Sequence, residues 1–385
     1  MKKKILYLAV TTALVLSSCS NDVTITEHQN LTSSDAISFR PLMNNMTRAV
    51  GITTDNLTEF YVTANNVSNP VSNNFGGETP ATYTKSSTTY TCATKYYWPN
   101  SGNLDFIAFA PAIGSGITRT DSTHFSVTPN ASPASQQDFI YAVVRNQNRI
   151  TNGSGVALNF RHTESKIIIQ LKNTASDLNF TVKDVAIGYI KPTGAFAPVY
   201  KTADGSQSGF CTNGTAISNT TIATEAGYYI TGSAWTASGT ETSYSQTATT
   251  TSYPQNTTTA VALPSDMILI PQALTVATQY SAATAGAAFN GACIKVELKI
   301  QDNSNNYIIG TSAADGYVTA IWPLAATTWL PGHQYTYTVD LSGGGYYETN
   351  QTSTDEKLDP LLTNAEIKFV NVTVDSWIDG GTTNP

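Results

Sequence analysis

Charge is what this sequence has least of. Asp, Glu, Lys and Arg make up 12% of 385 residues, with 20 lysines and arginines in all and a net charge of −7. No basic stripe runs along the chain, which excludes the electrostatic footprint of a nucleic-acid partner. Cysteine is scarce as well: Cys19, Cys92, Cys211 and Cys293, with no C-x-x-C spacing. That excludes a disulfide-dense scaffold and leaves open whether two of the last three pair or all sit singly in a core. Histidines 28, 124, 162 and 333 show no metal-ligand spacing, and His162 reads as a core or turn histidine. There is no G-x-S-x-G elbow and no phosphate-binding glycine loop. The carboxylates Asp105, Asp138 and Glu164 are strewn over strand-like segments. The residues therefore give no catalytic site, no metal site and no cofactor, and the expectation is a protein that is not an enzyme.

What is present is apolar residue at 41%, set among abundant Ser, Thr, Asn and Gly and 20 tyrosines. That composition belongs to a folded chain and not to a disordered one. The chain opens with Lys2, Lys3 and Lys4, the apolar run "ILYLAVTTALVL", and "LSSC". This is the layout of a secretory signal over residues 1–19, too short for a stable membrane span. Its end resembles a lipobox, which makes Cys19 the expected site of lipidation and outer-membrane attachment. Roughly 365 residues follow, enough for two domains.

Several segments alternate with a period of two. In "CIKVELKI", Ile294, Val296, Leu298 and Ile300 alternate with Lys295, Glu297 and Lys299; in "QYTYTVDL", Tyr335, Tyr337, Val339 and Leu341 alternate with Thr336, Thr338 and Asp340. In "SKIIIQLKN", Ile167, Ile169 and Leu171 share one face. No segment beyond the signal sustains a helical period. The reading is all-β, with short strands cut by Gly, Asn, Ser and Pro turns and folded as sandwiches. "NQNRITNGSG" marks a joint, which divides the chain into 49–160 and 161–385. Residues 201–260 are nearly uncharged and rich in Thr, Ser, Gly and Ala. They are expected to carry short surface strands near "GYYITGSAW", as a ligand-facing surface or as a neutral insertion. If ligand-facing, Tyr228, Tyr229 and Trp235 are the aromatics to contact a glycan or host protein.

One run of motifs gathers the rest. The lipobox at Cys19 is followed by "AISF" (36–39), "TRA" (47–49), "YYWP" (96–99), "LDFIAFAP" (104–111) and "DFIYA" (138–142). Then come "LNFRHTESKIIIQL" (158–171), "LIPQ" (269–272), "LPGHQYTYTVDL" (330–341) and "VNVTVDSW" (370–377). In this order the motifs resemble the Bacteroidales fimbrillins, the type V pilins that include stalk, tip and anchor subunits. The resemblance implies two tandem Greek-key, transthyretin-like β-sandwiches. It also implies a lipoprotein routed to the outer membrane, and an arginine-specific protease that cuts ahead of the first domain. On this chain the cut falls between Arg48 and Ala49, since Arg40 precedes Pro41, and it removes residues 20–48. The excised segment contains Ile37 and Phe39. If these belong to a first strand, its loss leaves an unpaired edge that another subunit's strand can fill. The family's donor is generally the C-terminal segment of a neighbour. Here that is "AEIKFVNVTVDSWIDGGTTNP", a donor strand near 367–385, with Ile367 and Phe369, then a change of phase to Val370, Val372 and Val374. A plain last strand of the second sandwich is the equal alternative. The resemblance thus implies a fimbrial subunit with other subunits as partners; the alternative is a tip adhesin or glycan-binding lipoprotein that does not polymerise.

Overall fold

In a computed structural model of the protein, every regular element among the described residues is a strand, apart from one 3-10 turn at Pro133–Ser135. The described residues are 36–42, 52–53, 55–66, 73–75, 79–100, 102–114, 116–120, 124–197, 200–201, 207–208, 234–276, 291–347, 359–360 and 370–376. The fold is all-β, as the two-residue periodicity predicts.

The first sheet has seven strands, in the order Arg161–His162, Ile140–Gln147, Leu104–Ala110, Glu59–Asn66, Ala81–Ser86 and Thr89–Thr91, with Asn73–Phe75 also on Glu59–Asn66. Its central strand "LDFIAFA" is buried at every position. The cause is that both faces are covered, which turns an alternating strand into a continuous apolar one. Leu104, Phe106, Ala108 and Ala110 enter a core with Phe60, Val62, Tyr83, Val156 and Leu158. Ile107 and Phe109, on the opposite face, enter a second core with Phe125, Phe139, Tyr141, Phe196 and Trp235.

That second core lies under a four-stranded sheet ordered Trp235–Ser238, Thr193–Phe196, Phe125–Val127 and Ile117–Arg119. Two of these strands precede residue 160 and two follow it. The division into 49–160 and 161–385 accordingly remains a proposal about folding units, since this sheet draws on both sides of it.

Two larger sheets form a sandwich. One sheet runs Thr257–Ala262, Ser165–Asn173, His333–Asp340 and Asn371–Ser376, with Met267–Leu269 also on Ser165–Asn173. The other is centred on Leu178–Ile190, Cys293–Asp302 and Val318–Pro323. Between them, Ile167, Ile169, Leu171, Ile294, Val296, Leu298, Ile300, Tyr335, Tyr337 and Val339 are all buried, the faces that the alternation predicts. Lys299 departs from the pattern: it is buried, its Nζ donates to the Ala313 carbonyl and stands 4.3 Å from the Tyr317 ring centroid.

Candidate functional site: the leader-strand groove

The segment ahead of the first sheet carries the strand Phe39–Leu42, preceded by an isolated bridge at Ala36. Phe39–Leu42 pairs in parallel with Val156–Asn159, in the register Phe39 to Val156 through Leu42 to Asn159. Val156 N–H donates to the Ser38 carbonyl at 2.8 Å, and Phe160 N–H to the Leu42 carbonyl at 3.0 Å. On the other flank Ala36 bridges Tyr97, and Ile37 N–H donates to the Tyr96 carbonyl at 2.7 Å. Ser38 and Leu42, which accept from the Val156–Asn159 side, share one parity. Pro41 lies on the other parity, so its missing N–H costs this ladder nothing.

The side chains explain why the strand holds. Ile37 and Phe39 are 4% and 5% exposed, whereas Arg40 is exposed. The Phe39 ring stands edge-on to three others, with centroids 4.9 Å from Tyr83, 5.1 Å from Phe106 and 6.2 Å from Phe60. Edge-to-face contacts of this kind add to the area they bury. The Tyr83 hydroxyl donates to the Ile37 carbonyl over a long 3.4 Å. Burial pushes the Tyr83 phenol up, with Cys92 and Tyr96 adding to it, so it remains a neutral donor. Trp98 also stands edge-on to Phe106, with centroids 5.8 Å apart. Gly155 lets the strands approach. Its φ is +93°, and a Cβ there would meet Ser38 Oγ at 3.0 Å and the Ser38 carbonyl oxygen at 3.3 Å.

The chain that follows the leader is tied down by a buried polar joint. Ile52 N–H donates to Asp138 Oδ2 at 2.8 Å, and the same oxygen meets His162 Nδ1 at 2.7 Å. Beside it, Phe139 N–H donates to Glu164 Oε2 at 2.9 Å, while Glu164 Oε1 has no hydrogen-bond partner. Burial raises the Glu164 carboxyl well above the usual range; the Phe139 N–H opposes that shift and the Asp138 charge adds to it. His162 is thus a buried histidine held through its Nδ1 by Asp138. Among the described residues no three His, Cys, Asp or Glu side chains are grouped to hold a metal ion.

The other residues singled out from sequence fall as follows. Cys19, Arg48, Ala49, Ile367, Phe369, Tyr228, Tyr229 and Cys211 lie outside the described residues. Cys92 is half-buried and Cys293 buried, and no disulfide joins them. Val370 is buried in the C-terminal core, Val372 packs against it and Val374 is 50% exposed. Their strand, Asn371–Ser376, lies antiparallel on His333–Asp340 at the sheet edge. Trp235 requires a correction. It is not a surface aromatic: it is 7% exposed, its Nε1–H donates to the Thr163 carbonyl at 2.6 Å, and its ring packs on Phe196 at 5.0 Å. The aromatic box of Phe60, Tyr83 and Phe106 is what sequence reading missed. Its one local signal is the alternation of "ATYTKS", which buries Ala81 and Tyr83.

A family model described as fimbrillin-like matches residues 47–377. The chain belongs to the fimbrillin-like family. Among solved structures, this fimbrillin-like chain is similar to a fimbrial protein from Bacteroides vulgatus, at 13% identity and a TM-score of 0.48, covering 89% of this chain and 99% of that one. It is also similar to a candidate cell adhesion protein from Bacteroides ovatus, at 16% identity and a TM-score of 0.45, covering 90% and 99%. A third, a candidate cell adhesion protein from Bacteroides uniformis, has 13% identity and a TM-score of 0.44, covering 90% and 99%. At such values the family match, and not these likenesses, carries the assignment. No curated protein matches the chain.

Proposed function

We propose that this protein is a structural subunit of a cell-surface fimbria, held unassembled by its own leader strand and released for assembly by cleavage between Arg48 and Ala49. Membership of the fimbrillin-like family supports the fimbrial and adhesive role, the surface location and other fimbrial subunits as partners. Transit as a lipoprotein anchored through Cys19, and cutting by an arginine-specific protease, belong to the same reading.

The observation that carries it is the burial of Ile37 and Phe39 in the first core. A linker on its way to removal has no need to fill a core. Here the segment ahead of Arg48 does so. Removing it exposes the Phe60, Tyr83 and Phe106 faces and strips backbone partners from Val156 and Phe160. Two apolar side chains at ~1.5–3 kcal/mol each, with the backbone bonds, are a strong incentive to bind a replacement strand. Ile52, by contrast, is held by Asp138 on the retained side of the proposed cut. Cleavage between these two anchorages separates plug from body.

The test compares wild type with Arg48→Ala after treatment with an arginine-specific protease. The expected outcome is loss of the segment ending at Arg48 and SDS-resistant ladders in wild type only; ladders of equal yield in the variant would sink the proposal. The alternative reading, a monomeric binding lipoprotein, loses Trp235 from its proposed contact surface, because that ring is in the core.

A further inference from the structure

Arginine is confined to one part of the chain. Its six occurrences are Arg40, Arg48, Arg119, Arg145, Arg149 and Arg161, and none follows residue 161. Beyond that point, the nearly uncharged stretch 201–260 included, an arginine-specific protease finds no bond to cut. Of the five described arginines, Arg40, Arg119, Arg145 and Arg161 lie in strands, where a protease must break a ladder to reach the backbone. Arg145 is also buried, its Nε 3.1 Å from Asp105 Oδ2. Arg149 is the exception. It is exposed, it lies in the turn between Ile140–Gln147 and Val156–Asn159, and the next residue, Ile150, is 94% exposed. An exposed loop tip is the ordinary place for a protease to nick a chain.

The Arg149–Ile150 peptide is nevertheless engaged at both of its polar groups. Ile150 N–H donates to Asn148 Oδ1 at 3.0 Å, and the Arg149 carbonyl accepts from Asn152 N–H over a long 3.4 Å. Asn148 Oδ1 also takes the Thr151 N–H at 3.1 Å. The Asn152 side chain pins the turn, its Nδ2 donating to Gln147 Oε1 and to the Asn148 carbonyl, each at 2.9 Å. Gly155 N–H then closes on the Asn152 carbonyl at 2.9 Å. A serine or cysteine protease needs the scissile carbonyl oxygen turned into its own oxyanion donors. The turn holds that oxygen elsewhere.

We infer that the turn 148–152 keeps a second arginine bond, Arg149–Ile150, closed to the protease that cuts after Arg48, with Asn148 and Asn152 as the positioning residues that close it. That role rests on the proposed cut after Arg48 and adds to it what confines cutting to one bond. The confinement matters because of what the turn joins. Ile140–Gln147 lies in the first sheet beside Leu104–Ala110, and Val156–Asn159 is the wall on which the leader pairs. Hydrolysis of Arg149–Ile150 would add one water across the bond, leaving a carboxylate on Arg149 and an amine on Ile150. The covalent link from the sheet to the groove wall would be gone.

The experiment treats the folded full chain with a limiting dose of an arginine-specific protease and follows both bonds through the new amino termini, Ala49 and Ile150. Wild type is expected to be cut after Arg48 roughly a hundredfold or more faster than after Arg149. Comparable rates would overturn the closure. Asn148→Ala/Asn152→Ala is expected to speed the cut after Arg149 by roughly tenfold or more, with no new amino terminus after Arg119 or Arg161. Adding Arg149→Lys to that variant should abolish the cut. An unchanged rate in the double variant would overturn the role of the two asparagines. So would cuts after Arg119 and Arg161 that rise together with it, because the barrier would then be the whole fold. A wild type that resists cutting after Arg48 would instead remove the leader reading, while the rates after Arg149 in the two proteins would still decide this one.

Discussion

Phe39 stands edge-on to Phe106 with ring centroids 5.1 Å apart, a contact between the leader and the central strand of the first sheet. The two residues lie on opposite sides of the Arg48–Ala49 bond. The core of the uncut protein is thus completed by a segment that the proposed maturation removes, and stability and assembly become linked at one side chain.

Phe39→Ala removes a ring buried among three aromatics. The uncut protein is expected to lose ~3–5 kcal/mol in denaturant unfolding, the usual cost of a buried Phe→Ala change. After cleavage and loss of the leader, wild type and variant become the same molecule, and their unfolding curves should coincide. A deficit that persists after cleavage would show that the leader is not released.

Gly155→Ala is expected to loosen the leader. The positive φ alone costs an L-residue roughly 1–2 kcal/mol, and the new Cβ would press on Ser38. Pairing it with Ser38→Gly removes the Oγ clash but not the backbone penalty, so recovery should be partial. Hydrogen exchange at Val156 and Phe160, whose amides donate to the leader, reads the effect; unchanged protection in Gly155→Ala would contradict it.

How much of this was legible in the sequence depends on where partners lie along the chain. Ile294 to Ile300 and Tyr335 to Leu341 announce their buried faces because strand alternation is local. The box around Phe39 is assembled from residues 60, 83 and 106, and no local pattern ties these together. The leader's place among them was legible only through resemblance. Trp235 misleads for a different reason. Its neighbours in "GSAWTAS" are small and polar, as on a surface, yet the residue is buried in the second core. Room for it comes from Gly194 on the adjacent strand, where a Cβ would lie 2.7 Å from the Trp235 ring. Nor could composition reveal a sheet built from strands on both sides of residue 160.

Trp235→Phe keeps most of the ring and deletes the donor that satisfies the Thr163 carbonyl. Stability is expected to fall by ~1–3 kcal/mol, the cost of leaving a buried acceptor unpaired. Loss of glycan binding in this variant without loss of stability would restore the tryptophan to a contact role.

Glu164 gives a pH signature. Its carboxyl is raised in the folded protein, burial being the main cause, so the fold favours the protonated form. Its contribution is fully present below the ordinary carboxyl value of 4.5. It declines as pH rises from there through the raised folded value. Glu164→Gln, isosteric and uncharged, should lose that decline and gain stability relative to wild type toward neutral pH. Parallel stability–pH curves for the two proteins would contradict the assignment.

The most direct measurement adds a synthetic peptide spanning residues 34–42 to subunits freshly cleaved after Arg48. The peptide is expected to bind saturably, to restore the thermal stability lost on cleavage and to suppress ladder formation, while the same peptide carrying Phe39→Ala does none of these. Ladders that grow undiminished in saturating wild-type peptide would contradict the account, because the groove it fills would then not be the place where subunits join.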